Sequence, residues 1–235
     1  MSGGTIVVLT GAGISAESGI QTFRGGGGLW EGHAVEEVAT PEGFAANPGL
    51  VQRFYNERRA ALLDGIVPNE GHRALARLAR EWRGEVVLVT QNIDDLHERA
   101  GSPEVIHMHG ELLKARCLVC GDVQECREDL GAGSICEGCG AEGRLRPHVV
   151  WFGEMPLFLE RIEGALLRAE KFLSVGTSGR VYPAAGFVQM ARYAGAKTVE
   201  VNLEASEQSG VFQECRTGQA GDLVPELVSE WLSEG

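Results

Sequence analysis

The chain has 235 residues and a formal net charge of −12, from 33 Asp and Glu against 21 Lys and Arg. That length can bury a real core in one or two domains, and the acidic balance excludes a nucleic-acid binder, which needs a basic face. Nothing reaches the ~18 consecutive apolar residues of a membrane span, and Met1-Ser2-Gly3-Gly4 runs into a strand without a charged leader. A cytoplasmic protein with no membrane association is expected.

Ile6-Val7-Val8-Leu9 is a short, β-branched apolar run that reads as a buried strand. It breaks into Gly11-Ala12-Gly13-Ile14-Ser15-Ala16, where two glycines allow a tight turn and close approach of a ligand. Ser15-Ala16-Glu17-Ser18 can start a helix whose free N–H groups would face that ligand, giving a seat for a pyrophosphate. The spacing is incomplete, because Ala16 stands where a third glycine would be, and no acidic residue ends a second strand about 20 residues on. On the glycine pattern alone, a ligand-free turn and a cofactor seat are both open.

Residues 31–45 read as irregular or short helices. Asn47-Pro48 starts a helix that runs to Gly65, with Asn as cap and Pro in the first turn. Tyr55 and Arg58, three apart, are neighbours on its surface, and Arg53 and Arg59 are expected in solvent. A second helix covers about 69–83 and stops at Gly84. Strands follow at 85–90, 105–110, 171–175 and 198–201, and helices at 157–169, 184–194 and 223–232. The alternation predicts an α/β fold, a Rossmann-like doubly wound parallel sheet with both faces covered. Each strand turns small and polar at its C-terminal end, at 11–15, 91–94, 109–110, 176–178 and 202–204. Ligands of open α/β sheets bind outside those ends, so five distant clusters should meet at one crevice.

Four of the six cysteines form two pairs, Cys117-x-x-Cys120 and Cys136-x-x-Cys139, fifteen residues apart. This is the spacing of a structural zinc site, closed by four thiolates and open to no water. Such a module is too small to bury a core unaided, so the metal would supply its folding energy. It interrupts the α/β alternation as a small zinc-ribbon insertion. Cys126 and Cys215 stand apart, which fits a reducing compartment.

Of the six histidines, His33, His72, His97 and His148 carry no special context. His107 and His109 should share one side of an extended strand, with His109 at its end beside Gly110. A histidine has the pKa to accept a proton near neutrality. No Gly-x-Ser-x-Gly elbow or Ser-His-Asp pattern is present.

The stretch Gly11-Ala-Gly-Ile-Ser15, Ser18-Gly19-Ile20, Thr22-Phe23-Arg24-Gly25 and Gly28-Leu29-Trp30 resembles the NAD-binding signature of the sirtuins, NAD-dependent protein deacylases. Gln21 replaces the family's usual proline. The resemblance runs from residue 5 to 227, includes the zinc insertion after a His-Gly, and is closest to bacterial members that remove acetyl and acidic acyl groups, succinyl and malonyl, from lysine. It implies that NAD is a co-substrate held by Gly11, Ala12, Gly13, Ser15, Ala16, Thr22, Phe23, Arg24, Trp30, Gln91, Asn92, Ile93, Asp94, Gly176, Thr177, Ser178, Asn202, Leu203, Glu204 and Ala220. It implies that His109 is the catalytic base and that Asn92 orients water or ribose. The substrate's amide oxygen would displace nicotinamide from NAD, and free lysine and O-acyl-ADP-ribose would leave. Val150, Trp151, Phe152, Gly153 and Glu154 would bind an acylated-lysine peptide in extended form.

The pair Tyr55 and Arg58 matches the motif of members that take acidic acyl groups, and Ala39 matches the small residue that widens their acyl channel. Arg offers a permanently charged fork for a carboxylate that would otherwise be buried unpaired. The implied organisation is an NAD-binding domain, 1–112 and 146–235, with a helical segment at about 31–84, and a zinc-binding module at 113–145. The alternatives are a zinc-containing nicotinamide dehydrogenase, a zinc-ribbon adaptor and an ADP-ribosyltransferase.

Overall fold

The structure is a computed structural model that describes residues 3–21, the backbone of 29–30, and residues 33–234. The expectations for Thr22, Phe23, Arg24 and the Trp30 side chain lie outside the described residues.

The elements in chain order are β1 (Thr5–Thr10), α1 (Ala12–Ala16), β2 (Leu29–Trp30), β3 (His33–Ala34), α2 (Val35–Val38), α3 (Pro41–Ala46), α4 (Pro48–Leu63), α5 (Glu70–Glu81) and β4 (Val86–Thr90). Then come α6 (Leu96–Arg99), β5 (Ile106–His107), β6 (Gly110–Cys117), β7 (Val123–Glu125), β8 (Leu145–Val149), α7 (Leu159–Leu166) and β9 (Ala169–Val175). The last four are α8 (Phe187–Tyr193), β10 (Lys197–Asn202), β11 (Glu214–Thr217) and α9 (Ala220–Glu234).

The main sheet has the order β11-β10-β9-β1-β4-β5, and every pair in it is parallel. The chain winds outward from β1 to β4 and β5, then returns to the other side of β1 as β9. Winding therefore reverses between β1 and β9, the switch point where open α/β sheets take ligands. The two faces of β1 explain its apolar run. Ile6 and Val8 pack with α5 and α9, and Val7 and Leu9 with α7 and α8. Each such burial contributes about 1.5–3 kcal/mol. A second, antiparallel sheet, β7-β6-β8, spans Gly110 to Val149 and carries the cysteine module.

Four expectations need correction. Helix α1 opens directly after Gly11 and ends at Ala16, where the sequence reading began it. Gly19, at φ +95, stops it, with its N–H on the Ala16 carbonyl and that of Ile20 on Ser15. The strand read at 105–110 ends at His107, and Gly110, at φ +80, turns the chain into the antiparallel sheet. Edge strand β11 was not read, because Glu214-Cys215-Arg216-Thr217 is polar and only half buried. Arg59 is not in solvent. It is 1 % exposed and donates to the Leu112 and Glu128 carbonyls and to Asn56 Oδ1, tying α4 to the second sheet.

The helix caps follow the sequence. Asn47 Oδ1 accepts from Leu50 N and Asn69 Oδ1 from Gly71 N, each a first-turn N–H that would otherwise lack a partner. The helical stretch divides by packing: α2 and α4 join Leu112, Leu113 and Val149 of the second sheet and Trp151 just after it, whereas α5 covers the main sheet.

Candidate active site

Two glycine turns meet at the switch point. Gly11 N donates to Val175 O and Gly13 N to Gly176 O. A Cβ on Gly13 would lie 2.6 Å from Gly176 Cα, and one on Gly176 would lie 2.4 Å from Ile14 N. Gly176 also has φ +64, so only glycine sits there without strain. Next to it, Asn202 Nδ2 donates to Thr177 O, joining the ends of β9 and β10. Glu17 accepts from the backbone N–H groups of Ala220 and Gly221 and anchors the start of α9. Ala12 and Gly13 are half buried, while Ala16, Ser178, Leu203 and Glu204 are exposed.

The end of β4 supplies the polar floor. Asn92 Nδ2 donates to Gly11 O and to Ser15 Oγ, leaving its carbonyl oxygen as the end that can meet a ligand. Ser15 Oγ donates to Asp94 Oδ2 at 3.0 Å, and Asp94 Oδ1 accepts from Leu96 N. Burial pushes the Asp94 carboxyl up from its ordinary value, against these hydrogen bonds. Ile93 ties the loop to the second sheet, since its carbonyl accepts from Leu112 N. His72 and His97, given no role by the sequence reading, are fully buried behind this floor. His72 Nε2 reaches Ser15 Oγ and His97 Nε2 reaches Thr10 Oγ1.

The two histidines after β4 part company because the strand ends between them. His109 Nδ1 lies 3.1 Å from Gln91 O. A carbonyl only accepts, so Nδ1 carries the proton and Nε2 is the basic atom. Burial lowers the His109 pKa and keeps the ring neutral, against the Gln91 hydrogen bond. His107 faces Glu98 Oε1 at 2.7 Å through Nε2 and Asn92 O through Nδ1. Burial works against its charge, but the Glu98 carboxylate overcomes that and raises the pKa. Both of its ring nitrogens face acceptors, an arrangement that favours the protonated ring and leaves no nitrogen open to act as a base.

The segment after β8 is tied to the same place. Val150 N donates to His109 O and Phe152 N to Ala39 O. Trp151 is buried against Phe44 and Tyr55, with Ala39 in the same cluster. Its indole N–H donates to Tyr55 Oη at 2.9 Å. Gly153 turns the chain at φ +91, and both Glu154 oxygens are engaged by Arg146. Arg58 lies over the Phe54 ring, 3.2 Å from its centroid, and donates to Phe54 O. Residues sequence reasoning missed here are Arg146 and Phe54. Neither stands in a motif.

Apart from this crevice, the Sγ atoms of Cys117, Cys120, Cys136 and Cys139 all lie within 4.8 Å of one another. Cys117 and Cys139 are 3.8 Å apart and Cys120 and Cys136 3.7 Å. Sulfurs at ~2.3 Å from a tetrahedral zinc stand about 3.8 Å apart, so the four thiols fit that metal.

The Sir2 family model matches residues 11–183. An NAD-dependent protein deacylase of Pasteurella multocida is 58% identical over 228 residues, 97% of each chain. One of Leishmania major is 55% identical over 233 residues, 97% of this chain and 96% of its own. Among solved structures, a Sir2 homologue in complex with NAD superposes with a TM-score of 0.88 at 39% identity, covering 98% of this chain and 90% of that one. A Sir2 bound to 2'-O-acetyl-ADP-ribose and a deacetylated p53 peptide gives 0.80 at 31% identity, covering 96% and 93%. At these identities and over this much of its length, the chain is a member of the Sir2 family.

Proposed function

We propose that the chain is an NAD-dependent protein-lysine deacylase that removes acetyl groups and acidic acyl groups, succinyl above all. The observation that carries the reading is the contrast between the two histidines. His109 is neutral with a basic Nε2, and it is held by the Gln91 carbonyl at the end of β4, the strand that pairs with β1 where the first glycine turn begins. The named relatives and the ligands of the related structures support the same reading.

NAD, consumed as co-substrate, supplies an electrophilic ribose carbon with nicotinamide as leaving group. Gly11, Gly13, Gly176, Thr177 and Asn202 would hold its phosphate and ribose parts, and Asn92, Ile93 and Asp94 its nicotinamide end. The small side chains and backbone edges of these strand ends fit a dinucleotide laid across the switch point. His109 Nε2 takes the proton that turns a hydroxyl into a nucleophile. The Gln91 carbonyl holds its ring in the tautomer that can do so. The segment 150–154 would receive an extended peptide as an added strand, which reads backbone more than sequence. Tyr55 and Arg58 would bind the carboxylate of an acidic acyl group. Zinc in the four-cysteine site would be structural, because four thiolates complete its coordination.

No helix among the described residues is long and apolar enough to cross a membrane, and Cys126 and Cys215, the two thiols outside the four-cysteine site, fit a reducing compartment such as the cytoplasm. The test is mass spectrometry of acetyl-lysine and succinyl-lysine peptides incubated with and without NAD. Loss of the acyl mass in both, only with NAD, is expected. Reduction of NAD without deacylation would mean a dehydrogenase.

A further inference from the structure

Arg146 is 4 % exposed, and one line of its partners runs through Glu154, which Arg116 also engages, and Trp151 to Tyr55. Its Nη1 and Nη2 donate to the two oxygens of Glu154 at 2.7 and 2.9 Å, and Nη2 also donates to Val149 O at 2.7 Å. The guanidinium carbon lies over Trp151, 3.3 Å from the ring centroid. Glu154 Oε2 in turn accepts from Trp151 N at 2.8 Å. Trp151 is thereby held at its backbone and on its ring face by one ion pair. Its one polar side-chain atom, the indole nitrogen, donates to Tyr55 Oη at 2.9 Å.

That last bond has a direction. The indole nitrogen only donates, so Tyr55 Oη accepts there and its own proton points elsewhere. The phenol is fully buried, and burial pushes its pKa up, so it stays protonated and remains a donor. A tyrosine held in this way presents one O–H in one direction, which is what a carboxylate needs.

We propose that Arg146 is a positioning residue for acidic acyl groups. It fixes the Trp151 indole, and the indole N–H fixes the direction in which Tyr55 donates. The inference rests on the reading that Tyr55 and Arg58 bind the acyl carboxylate. Arg146 touches no substrate in this account and acts only through Trp151 and Tyr55.

The experiment compares kcat/KM on succinyl-lysine and acetyl-lysine forms of one peptide. Arg146→Lys keeps the charge beside Glu154 but loses the two-point fork and the ring contact. Trp151→Phe keeps an aromatic ring under the guanidinium and loses the N–H donor together with the five-membered ring that carries it. Each should lower the succinyl-to-acetyl ratio about three- to tenfold, the value of one hydrogen bond, with the change in KM for the succinyl peptide. If Arg146→Lys fails to fold, Trp151→Phe still decides. Arg58→Met, run in parallel, separates the two levels. If Arg58→Met lowers the ratio and neither of the others does, or if both substrates fall equally in them, Arg146 only supports the fold and the inference is overturned. If Arg58→Met leaves the ratio unchanged, the acyl reading itself is wrong and the inference falls with it.

Discussion

Replacing Gly176 by alanine tests whether the cofactor seat is built from two glycine turns pressed together. Two costs add at this position. The residue has φ +64, where a side chain costs about 1–2 kcal/mol. Its Cβ would lie 2.4 Å from Ile14 N and 2.7 Å from Gly13 Cα, backbone atoms that cannot rotate away. Overpacking of that kind costs about 1–3 kcal/mol more. The sum is ~2–5 kcal/mol, and at ~2–4 °C per kcal/mol for a chain of this length the melting temperature should fall by ~4–20 °C. Gly19→Ala is the control, because Gly19 has φ +95 but nothing within 4 Å of its Cβ position. It carries only the conformational cost, a fall of ~2–8 °C. Thermal unfolding without ligand measures both variants, and initial rates at varied NAD show whether the displaced turn raises the KM for NAD. If Gly176→Ala is no less stable than Gly19→Ala and binds NAD as the parent does, the packing of the two turns does not hold the seat.

Four other outcomes are expected. His109→Ala should lower kcat/KM by ~10² to 10⁴ while calorimetry still detects NAD binding. Because burial lowers its pKa, the base stays in its working form as pH falls, so the acid limb of the parent's kcat/KM should lie below pH ~6.5. Normal turnover, or loss in His107→Ala instead, would move the base elsewhere. Metal analysis should give about one zinc per chain, and Cys117→Ser should lose solubility and stability before it loses catalysis in the folded fraction. Full activity in stable metal-free protein would contradict a structural zinc. Arg58→Met should cost succinyl-lysine turnover about 2–5 kcal/mol and acetyl-lysine turnover far less, measured as kcat/KM on matched peptides. Finally, burial holds His97 neutral well below the ordinary histidine value. The unfolded chain takes up that proton as pH drops through ~6.5, so His97 lowers stability by up to roughly 1.4 kcal/mol per pH unit below it. His97→Gln, compared with the parent in denaturant titrations at several pH values, should remove that slope. Parallel curves would show that His97 titrates alike in both states.

The strands that build the crevice were legible because each is an apolar run ended by small polar residues. The period of Ile6-Val7-Val8-Leu9, buried on both faces, leaves little else for it to be. The cysteine site was legible because two short spacings bring four sulfurs together whatever the fold around them. What escaped depended on tertiary contact. Nothing in Arg59 or Arg146 marks them as buried, since a long cationic side chain enters a core only when partners distant in sequence satisfy it. Those partners are the Leu112 and Glu128 carbonyls for Arg59, and Glu154 for Arg146. The divergence of His107 from His109 was hidden for a similar reason. Alternation suggested one shared side, but the turn at Gly110 is set by pairing with Val149, almost forty residues on. The neutral state of His109 follows from its burial, and its basic Nε2 from the Gln91 carbonyl held at Nδ1, neither of which a local pattern reveals.

We propose that the acyl group leaves lysine by transfer to ADP-ribose, with His109 as the base. Mass spectrometry of a single reaction on a succinyl-lysine peptide tests it directly, by quantifying free lysine peptide, nicotinamide and acyl-ADP-ribose together. The three should appear in equal amounts with the wild-type chain, and acyl-ADP-ribose should nearly disappear with His109→Ala. Deacylation that yields free succinate without acyl-ADP-ribose, or that proceeds without NAD, would contradict it.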